Sequence, residues 1–367
     1  MSRQQFLQVA GVVLLSFSFA GAQSITPFEA PGAGTGAGQG TLAEGISATG
    51  ETFGYYVDAS GVAHAFMRYQ HGSFTTFSAT GAGTASGQGT FAFSLSPSGS
   101  VVGYYLDASG VMHGFERAAA GTLTTIDAPG AGTGPGQGTF TYNINATGTV
   151  AGFFFDSTMV AHAYLLATDG TFTIIDVPGA GTGPGQGTGT ASVIGLNAAG
   201  EVTGPYIDSG TVLHGYVRHA DGTITTFDAP GAGTGPGQGT DTAGLNPEGA
   251  IPGISFDSSG VAHGFVRATD GTLTLFDVSG AGTASGQGTL AEGINPSDET
   301  TGQYVDSSGV THGFVRTAGG TITTFNAPGA GTASGQGTFA LTNNAAGAVA
   351  GYLVDGSGVS HGFVRTQ

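Results

Sequence analysis

Residues 130–139 read GAGTGPGQGT, a stretch with five glycines and no charged or aromatic residue. The pattern GAGTxxGQGT occurs seven times along the chain. The copies cover residues 32–41, 81–90, 130–139, 179–188, 231–240, 280–289 and 329–338. Self-similarity at a regular spacing is typical of repeat arrays and propellers, so this stretch indicates an architecture rather than a single ligand site.

Glycine-rich loops also bind phosphate, but the surrounding residues exclude that role here. A phosphate-binding loop needs a lysine at its end and a helix after it. This chain contains no lysine, and a stretch with strand character follows each copy. We therefore interpret the loop as a connector whose glycines allow tight turns and close packing. We expect Gln137 and its six counterparts to hydrogen-bond across the face that these loops form.

A second motif, D-x-x-x-x-x-H-[GA]-[FY], also occurs seven times, at a spacing of 49 residues with one exception of 52. The insertion ASVIGLN (191–197) accounts for the exception and falls in the first strand of its unit. Each unit contains four short stretches rich in β-branched and aromatic residues, separated by Gly, Asn and Asp turns. No window has a sustained helical period, so the sequence predicts an all-β protein.

Seven units of four antiparallel strands predict a seven-bladed β-propeller that forms one domain over residues 23–367. The stretch SITPFEAP (24–31) matches the fourth strand of a unit, and SHGFVRTQ (360–367) matches the third. We therefore predict that Ile25–Glu29 pairs beside His361–Arg365, so that the N-terminal strand completes the last blade and closes the ring. A β-solenoid is the alternative fold, but one solenoid coil needs far fewer residues.

Residues 1–22 have the pattern of a secretory signal peptide. Arg3 is followed by an apolar run from Val9 to Phe19 and by the small residues Ala20, Gly21 and Ala22. This predicts export, to the extracellular space or the periplasm. No later stretch reaches the roughly 20 apolar residues of a membrane helix, so we expect no membrane insertion.

The charge and the missing cysteines narrow the function classes. The net charge is −17, which argues against a nucleic-acid partner because such binding uses Lys and Arg to neutralise phosphates. The absence of cysteine excludes disulfides and thiol chemistry. We expect a monomer.

The unit 293–330, GINPSDETTGQYVDSSGVTHGFVRTAGGTITTFNAPGA, resembles the HAF-type extracellular repeats of bacterial secreted proteins. The INxxG-like turn, the G-x-Y/F-x-D strand and the H-G/A-F/Y strand carry the resemblance. It covers essentially all of the chain after residue 22 and implies an exported bacterial repeat protein. The chain departs from the family pattern by mostly reading HGF, and the GAGTxxGQGT loop is an elaboration of it.

An aspartate ends every second strand, where a hairpin turn follows. We interpret these residues as turn-formers that accept backbone N–H bonds. The alternative is a carboxylate ring that binds Ca²⁺ through oxygen ligands, although the chain has no D-x-D-x-D loop. We expect no other cofactor. The residues are Asp58, Asp107, Asp156, Asp208, Asp257, Asp306 and Asp355.

The motif histidines and the arginines four residues after them are interpreted as structural, because a residue repeated in every blade usually holds blades together. We expect His64 to lie across its hairpin from or near Tyr55. We expect the arginines to bridge blades through carbonyls or carboxylates. A His–Asp pair also suits acid–base work. The histidines are His64, His113, His162, His214, His263, His312 and His361. The arginines are Arg68, Arg117, Arg218, Arg267, Arg316 and Arg365, and Leu166 takes the place in the third unit.

Three function hypotheses remain open. The favoured one is a non-enzymatic binding module for carbohydrate or protein, in which a repeated face gives multivalency. The second is a hydrolase or lyase with its site at the mouth of the central channel, and the third is a purely structural envelope or matrix protein. No catalytic residue is assigned. Residues that break the repeat on the first strands are the channel candidates: Glu44, Asp241 and Glu292.

Overall fold

The protein is all-β, as predicted. A computed structural model describes residues 23–189 and 194–367, and these residues form 29 strands and no helix. The predicted signal peptide, residues 1–22, lies outside the described residues. So do residues 190–193, the last three of which belong to the insertion in the fourth unit.

Each of the seven units contains a first, a second, a third and an outer strand. The first strands are β2 (Gly40–Ile46), β6 (Gly89–Leu95), β10 (Gly138–Ile144), β14 (Gly187–Thr188) with β15 (Gly195–Leu196), β19 (Gly239–Thr242), β23 (Gly288–Ile294) and β27 (Gly337–Asn343). The second strands are β3 (Thr52–Val57), β7 (Val101–Leu106), β11 (Val150–Phe155), β16 (Val202–Ile207), β20 (Ile251–Phe256), β24 (Thr300–Val305) and β28 (Val349–Val354). The third strands are β4 (Ala63–Arg68), β8 (Met112–Arg117), β12 (Ala161–Leu166), β17 (Leu213–Arg218), β21 (Ala262–Arg267), β25 (Thr311–Arg316) and β29 (Ser360–Thr366). The outer strands are β5 (Phe74–Phe77), β9 (Leu123–Ile126), β13 (Phe172–Ile175), β18 (Ile224–Phe227), β22 (Leu273–Phe276), β26 (Ile322–Phe325) and, in the seventh unit, β1 (Ser24–Phe28).

Within a unit, consecutive strands pair antiparallel, with alternating side chains facing the two neighbouring units. In the first unit, Thr41 lies opposite Tyr56, which in turn lies opposite His64. The fourth unit keeps this order, but its first strand is divided into β14 and β15. The predicted position of the insertion, in the first strand, is therefore confirmed.

The units are not separate blades, and the predicted seven-bladed propeller with four strands per blade is wrong. The glycine that begins each first strand forms a parallel bridge with the start of the third strand in the preceding unit. Through these bridges the first, second and third strands of all units join into one sheet of 21 strands that closes on itself. The outer strands attach to the third strands outside this cycle.

The last glycine of GAGTxxGQGT is the physical reason for this continuous sheet. Gly138 has a φ of +111°, and a Cβ added there would lie 2.1 Å from the carbonyl oxygen of Met112. The Met112 N–H donates to the carbonyl oxygen of Gln137 at 2.8 Å. Only a residue without a side chain allows the two backbones to approach this closely.

Closure of the ring also differs from the prediction. The predicted pairing of the N-terminal strand is present, with Ile25 opposite Arg365 and Phe28 opposite Gly362. The closed cycle itself, however, is completed by the parallel bridge between Gly40 and Ser360. Strand β1 is therefore an outer strand on the seventh unit and not the link that closes the sheet.

The hydrophobic core lies between neighbouring units. Phe115 on the third strand β8 is fully buried, and the outer-strand residue Phe77 of the preceding unit meets it edge-on at 5.9 Å. The same pair recurs as Phe276–Phe314 and Phe325–Phe363. The aromatic residue of the H-G/A-F/Y motif is thus the centre of each inter-unit core, and its burial contributes about 2–3 kcal/mol.

Candidate functional site

A cavity of about 300 Å³ lies on the axis of the ring, surrounded by the first strands. Its lining includes Glu44, Phe93, Tyr142, Asn143 and Glu292. These residues stand at the far ends of the first strands, away from the GAGTxxGQGT loops that precede those strands. The cavity therefore opens toward the face opposite the loops.

A β-bulge positions the side chains that line this cavity. In the first unit the register with the second strand skips Glu44, between Ala43 and Gly45. The same shift skips Phe93, Tyr142, Glu292 and Leu341 in four other units. A bulge leaves one residue unpaired and re-aims its side chain, which here places the fourth residue after the strand's first glycine in the cavity wall.

A glycine on the second strand accommodates each bulge. A Cβ on Gly54 would lie 2.1 Å from the carbonyl oxygen of Leu42, and one on Gly103 would lie 1.9 Å from that of Phe91. Glycine within a strand often marks such a close backbone approach. The glycine of the G-x-Y/F-x-D pattern is therefore required by the geometry of the cavity wall.

One side of the ring interior is aromatic. Phe93 stacks on Tyr142 with ring centroids 5.1 Å apart, and Tyr104 lies 4.2 Å from Phe140. Phe91 stacks on Tyr104 at 4.9 Å, so the rings of the first three units form a continuous wall. We call this set, Tyr55, Phe91, Phe93, Tyr104, Phe140, Tyr142 and Phe153, the aromatic wall.

Two carboxyl groups share the cavity with Phe93 and Tyr142, the two residues of this wall that line it. Burial raises the pKa of Glu44 to about 7, and the charge of Glu292 adds to that rise. Burial likewise raises the pKa of Glu292 to about 7. The Gln303 amide donates to the Glu292 carboxyl at 3.3 Å. Lys and Arg are absent from the described lining, so both acids are held partly protonated near neutral pH.

The sequence had singled out three channel candidates, and the structure brings two of them into one cavity. Glu44 and Glu292 line it, whereas Asp241 is buried on the first strand β19 and is not part of the lining. The charge of Asp241 still reaches this site, because burial first and then the charges of Glu44, Glu292 and Asp241 raise the pKa of Tyr142. The aromatic wall was missed by the sequence analysis.

A signal for the missed residues is present in the repeat. Phe93 and Tyr142 occupy the same unit position as Glu44 and Glu292, four residues after the glycine of the first strand. Comparing that single position across units reveals the asymmetry: acids in the first and sixth units, aromatics in the second and third.

On the opposite face, each motif histidine lies in a network of side chains. His64 is paired with Tyr56 and not with Tyr55, and their rings stack at 5.1 Å. In the second unit, His113 Nδ1 lies 2.8 Å from Asp127, and Nε2 lies 3.7 Å from Asp107. Equivalent contacts join the other histidines to the residue at the end of the outer strand, which is Ser78 or Asn326 in two units.

The aspartates after the second strands hold their turns. Asp58 Oδ1 accepts hydrogen bonds from the Ser60 and Val62 N–H groups at 2.8 and 3.0 Å. The bond from Val62 is the main cause that lowers the pKa of Asp58. Within residues 23–189 and 194–367, no three His, Asp or Glu side chains are grouped as metal ligands.

Glutamine side chains complete this face. Gln137 Oε1 accepts from the Gly134 N–H at 2.8 Å, and its amide donates to the Ser157 carbonyl at 3.1 Å. Each loop is thereby fixed to itself and to the aspartate turn of the unit that it leads into. These glutamines do form hydrogen bonds, but within their own loop and unit and not, as was predicted, from one loop to another across the face.

Five of the six arginines do connect neighbouring units, but through aromatic rings, whereas Arg218 donates to the carbonyl oxygen of the adjacent His219 at 3.4 Å. The guanidinium of Arg68 lies over Phe28 at 4.7 Å, and that of Arg316 lies over Phe276 at 4.8 Å, each ring belonging to the preceding unit. Arg117, Arg267 and Arg365 make the same contact. In the described part of the chain, none of these arginines has a carboxylate within ion-pair distance. The contact is a cation–π pair between units.

Comparison with known proteins adds a fold likeness only. No family model matches the chain, and no curated protein matches it. The described part of the chain has no helix long and apolar enough to cross a bilayer.

Among solved structures, the chain is similar to the BP39L lectin from Burkholderia pseudomallei, with a TM-score of 0.57 and 12% identity over 88% of this chain and 94% of that one. It is also similar to a puromycin hydrolase S511A mutant complexed with PGG, with a TM-score of 0.52 and 12% identity over 86% of this chain. This chain spans 50% of that hydrolase. At such identities the likeness concerns the fold alone.

Proposed function

We propose that this protein binds carbohydrate in the central cavity. The observation that carries the proposal is that Phe93 and Tyr142 of the aromatic wall line the same cavity of about 300 Å³ as two partly protonated carboxyl groups. That volume lies at the small end of the range of about 300–1,000 Å³ for ligand pockets. A short saccharide, or one end of a longer one, suits such a site.

The chemistry of the lining favours a neutral polyhydroxylated ligand. Sugar rings have apolar C–H faces that pack on aromatic rings, and Phe93 and Tyr142 offer such surfaces. A carboxyl group that is partly protonated both donates and accepts hydrogen bonds, as hydroxyl groups require. Glu44, Glu292 and the amide of Asn143 supply these functions, while a net charge of −17 disfavours anions.

The fold comparison supports the same class of ligand. BP39L is by name a lectin. This chain covers 94% of BP39L, against 50% of the hydrolase. Because its identity to this chain is 12%, it supports the class of function and assigns no residue.

A glycan array followed by calorimetry tests this proposal. We expect at least one neutral glycan to bind the wild type, and the affinity to fall at least tenfold in Tyr142→Leu and in the double variant Glu44→Gln/Glu292→Gln. The exposed Glu248→Gln serves as the matched acid-to-amide control and should bind as the wild type does. Absence of binding across the array, or binding that both cavity variants retain, would contradict the proposal.

A second candidate function is glycoside cleavage at the same cavity. Two carboxyl groups whose pKa values lie near 7 suit general acid–base catalysis, and glycosidases use a pair of carboxylic residues. Incubating the glycans that bind with excess protein distinguishes the two. New reducing ends that form with the wild type but not with Glu292→Gln indicate an enzyme, and intact glycans indicate a binding protein.

We also propose that the protein is exported as a HAF-type repeat protein. The support is the signal-peptide pattern of residues 1–22 and the H-G/A-F/Y repeats. Expression of the full chain in a bacterium, with fractionation and mass spectrometry of the N-terminus, tests the export. Full-length protein retained in the cytoplasm would contradict it.

A further inference from the structure

The junction between the second and third units lacks the cation–π pair that five other junctions have. Leu166 stands where six units have arginine, and Ile126 of the preceding outer strand replaces the phenylalanine. The two replacements belong to one apolar cluster. The third unit therefore has no guanidinium of its own at this junction.

An acidic residue that no other junction has, Glu116, lies beside these two replacements. Glu116 lies on β8 at a position that is apolar in every other unit. Its side chain is on the same face of the sheet as that of Ile126 on the neighbouring strand β9. It is partly buried and makes no hydrogen bond or ion pair with any described residue. The corresponding residues of the other units are Met67, Leu165, Val217, Val266, Val315 and Val364.

A cavity of about 480 Å³ opens where these changes meet. Ile126, Leu166 and Phe172 form an apolar floor, and Glu116 with Thr124 contributes polar groups. Its volume is within the range of small-molecule pockets, about 300–1,000 Å³. We call it the junction groove.

We propose that the junction groove binds an organic cation, a primary amine or guanidine attached to an apolar body. The cationic head lies at Glu116, and the body packs on Leu166, Ile126 and Phe172. A partly buried carboxylate without a partner gains most from a charge-assisted hydrogen bond. The ligand thereby supplies the positive charge that the other units carry as arginine, and the overall charge of −17 favours its approach.

The choice of a cation follows from the lining. An anion would meet Glu116 and Asp127, both of which line the groove, with no basic residue among the described lining to offset them. A purely apolar ligand would leave Glu116 without a partner and gain nothing from it. This site is separate from the central cavity and does not depend on the carbohydrate proposal.

Titration with phenethylamine, with phenethyl alcohol as its uncharged match, tests the proposal by calorimetry and by NMR of the Leu166 methyl groups. We expect saturable binding of the amine, at least about fivefold tighter than the alcohol. Glu116→Gln should remove this preference. Leu166→Arg, which restores the residue of the other units, should abolish binding of both probes, because its guanidinium fills the groove and pairs with Glu116.

Controls separate a site from general attraction to an acidic protein. The exposed Glu248→Gln removes the same charge elsewhere and should leave binding unchanged. Equal affinity for amine and alcohol, an amine affinity that Glu116→Gln leaves intact, or an equal loss in Glu248→Gln would each overturn the proposal. Leu166→Arg should remain folded, because six units already carry arginine at that position.

Discussion

The glycine that begins each first strand has an effect out of proportion to its size. At Gly138, an alanine would face both a φ of +111° and a Cβ contact of 2.1 Å with the Met112 carbonyl. The left-handed conformation alone costs a non-glycine residue about 1–3 kcal/mol. The contact with fixed backbone adds to that cost, because the parallel bridge must move apart.

We therefore expect Gly138→Ala to lower the free energy of unfolding by at least about 2 kcal/mol, measured by urea denaturation. Gly356→Ala is the matched control, since a Cβ there meets no atom within 4 Å and no unfavourable φ applies. The control should change stability by less than about 0.5 kcal/mol. Equal effects of the two variants would contradict the steric role of Gly138.

The two cavity carboxyls make stability depend on pH with a definite sign. Their pKa values rise from 4.5 to about 7 on folding, so between these values the folded state holds more protons than the unfolded state. The free energy of unfolding therefore falls as the pH rises from about 4.5 to about 7.

Glu44→Gln/Glu292→Gln removes the ionisation, so Tm should exceed that of the wild type by about 2–5 °C at pH 8. The difference should nearly vanish at pH 4, where both carboxyls are protonated in the folded and the unfolded state. Thermal scans at the two pH values check this. If the difference in Tm were the same at both pH values, the folded protein would not be burying these two carboxyl groups in their charged form.

At this scale the sequence predicted part of the site. Glu44 and Glu292 were visible because an acid interrupts an apolar position of a repeat. Phe93 and Tyr142 were not, because aromatic residues are ordinary in strands. Their placement in the cavity depends on a bulge, and a bulge depends on the register between two strands, which composition does not specify.

At the scale of elements, the arginine of the third strand and the phenylalanine of the preceding outer strand work as one contact at five of the seven junctions. Arg316 over Phe276 is an example, at 4.8 Å. Both residues differ at the junction of Leu166 with Ile126. At the next junction only the phenylalanine is replaced, since Arg218 is kept where the preceding outer strand has Ile175.

A double-mutant cycle with Arg316→Leu and Phe276→Leu should give a coupling energy of about 0.5–2 kcal/mol. Arg218 provides the comparison, because the matching position of the preceding outer strand is Ile175. The cycle of Arg218→Leu with Ile175→Leu should give a coupling below about 0.3 kcal/mol. Similar coupling in both cycles would mean that the ring contributes nothing beyond packing.

The strands and their order within a unit could be predicted from sequence, whereas the link between units could not. Alternation, turn residues and the repeat are local, so they determine hairpins such as that of β3 and β4. The parallel bridge pairs Met112 of one unit with Gly138 of the next, and each junction between units has a single residue pair of this kind. Nothing in the local sequence pattern distinguishes a glycine that is required in a turn from a glycine that is required for close contact with the neighbouring unit.

For the whole molecule, a nearly symmetric sheet carries asymmetric sites. The loop face repeats in every unit, with the same glutamine and aspartate hydrogen bonds. The central cavity differs from unit to unit, with aromatic residues in the second and third and acids in the first and sixth. Repeated residues therefore maintain the ring, and departures from the repeat are the places to look for function.

The outer strand β1 connects the two described ends of the chain and gives the last prediction. Thr26 lies directly opposite Val364 in an antiparallel pair, where Cα atoms are about 4.5–5.5 Å apart. That distance suits a disulfide, and the chain has no cysteine of its own to interfere. The double variant Thr26→Cys/Val364→Cys should therefore oxidise within one folded chain.

We expect the oxidised variant to have no free thiols and a Tm higher by about 3 °C or more, because the cross-link limits the freedom of the unfolded chain. Reduction should return Tm to within about 1 °C of the wild type. Thiol titration under native conditions and thermal scans with and without reductant measure both. Thiols that remain free under native conditions, or that link only between molecules, would mean that β1 does not stay on the seventh unit.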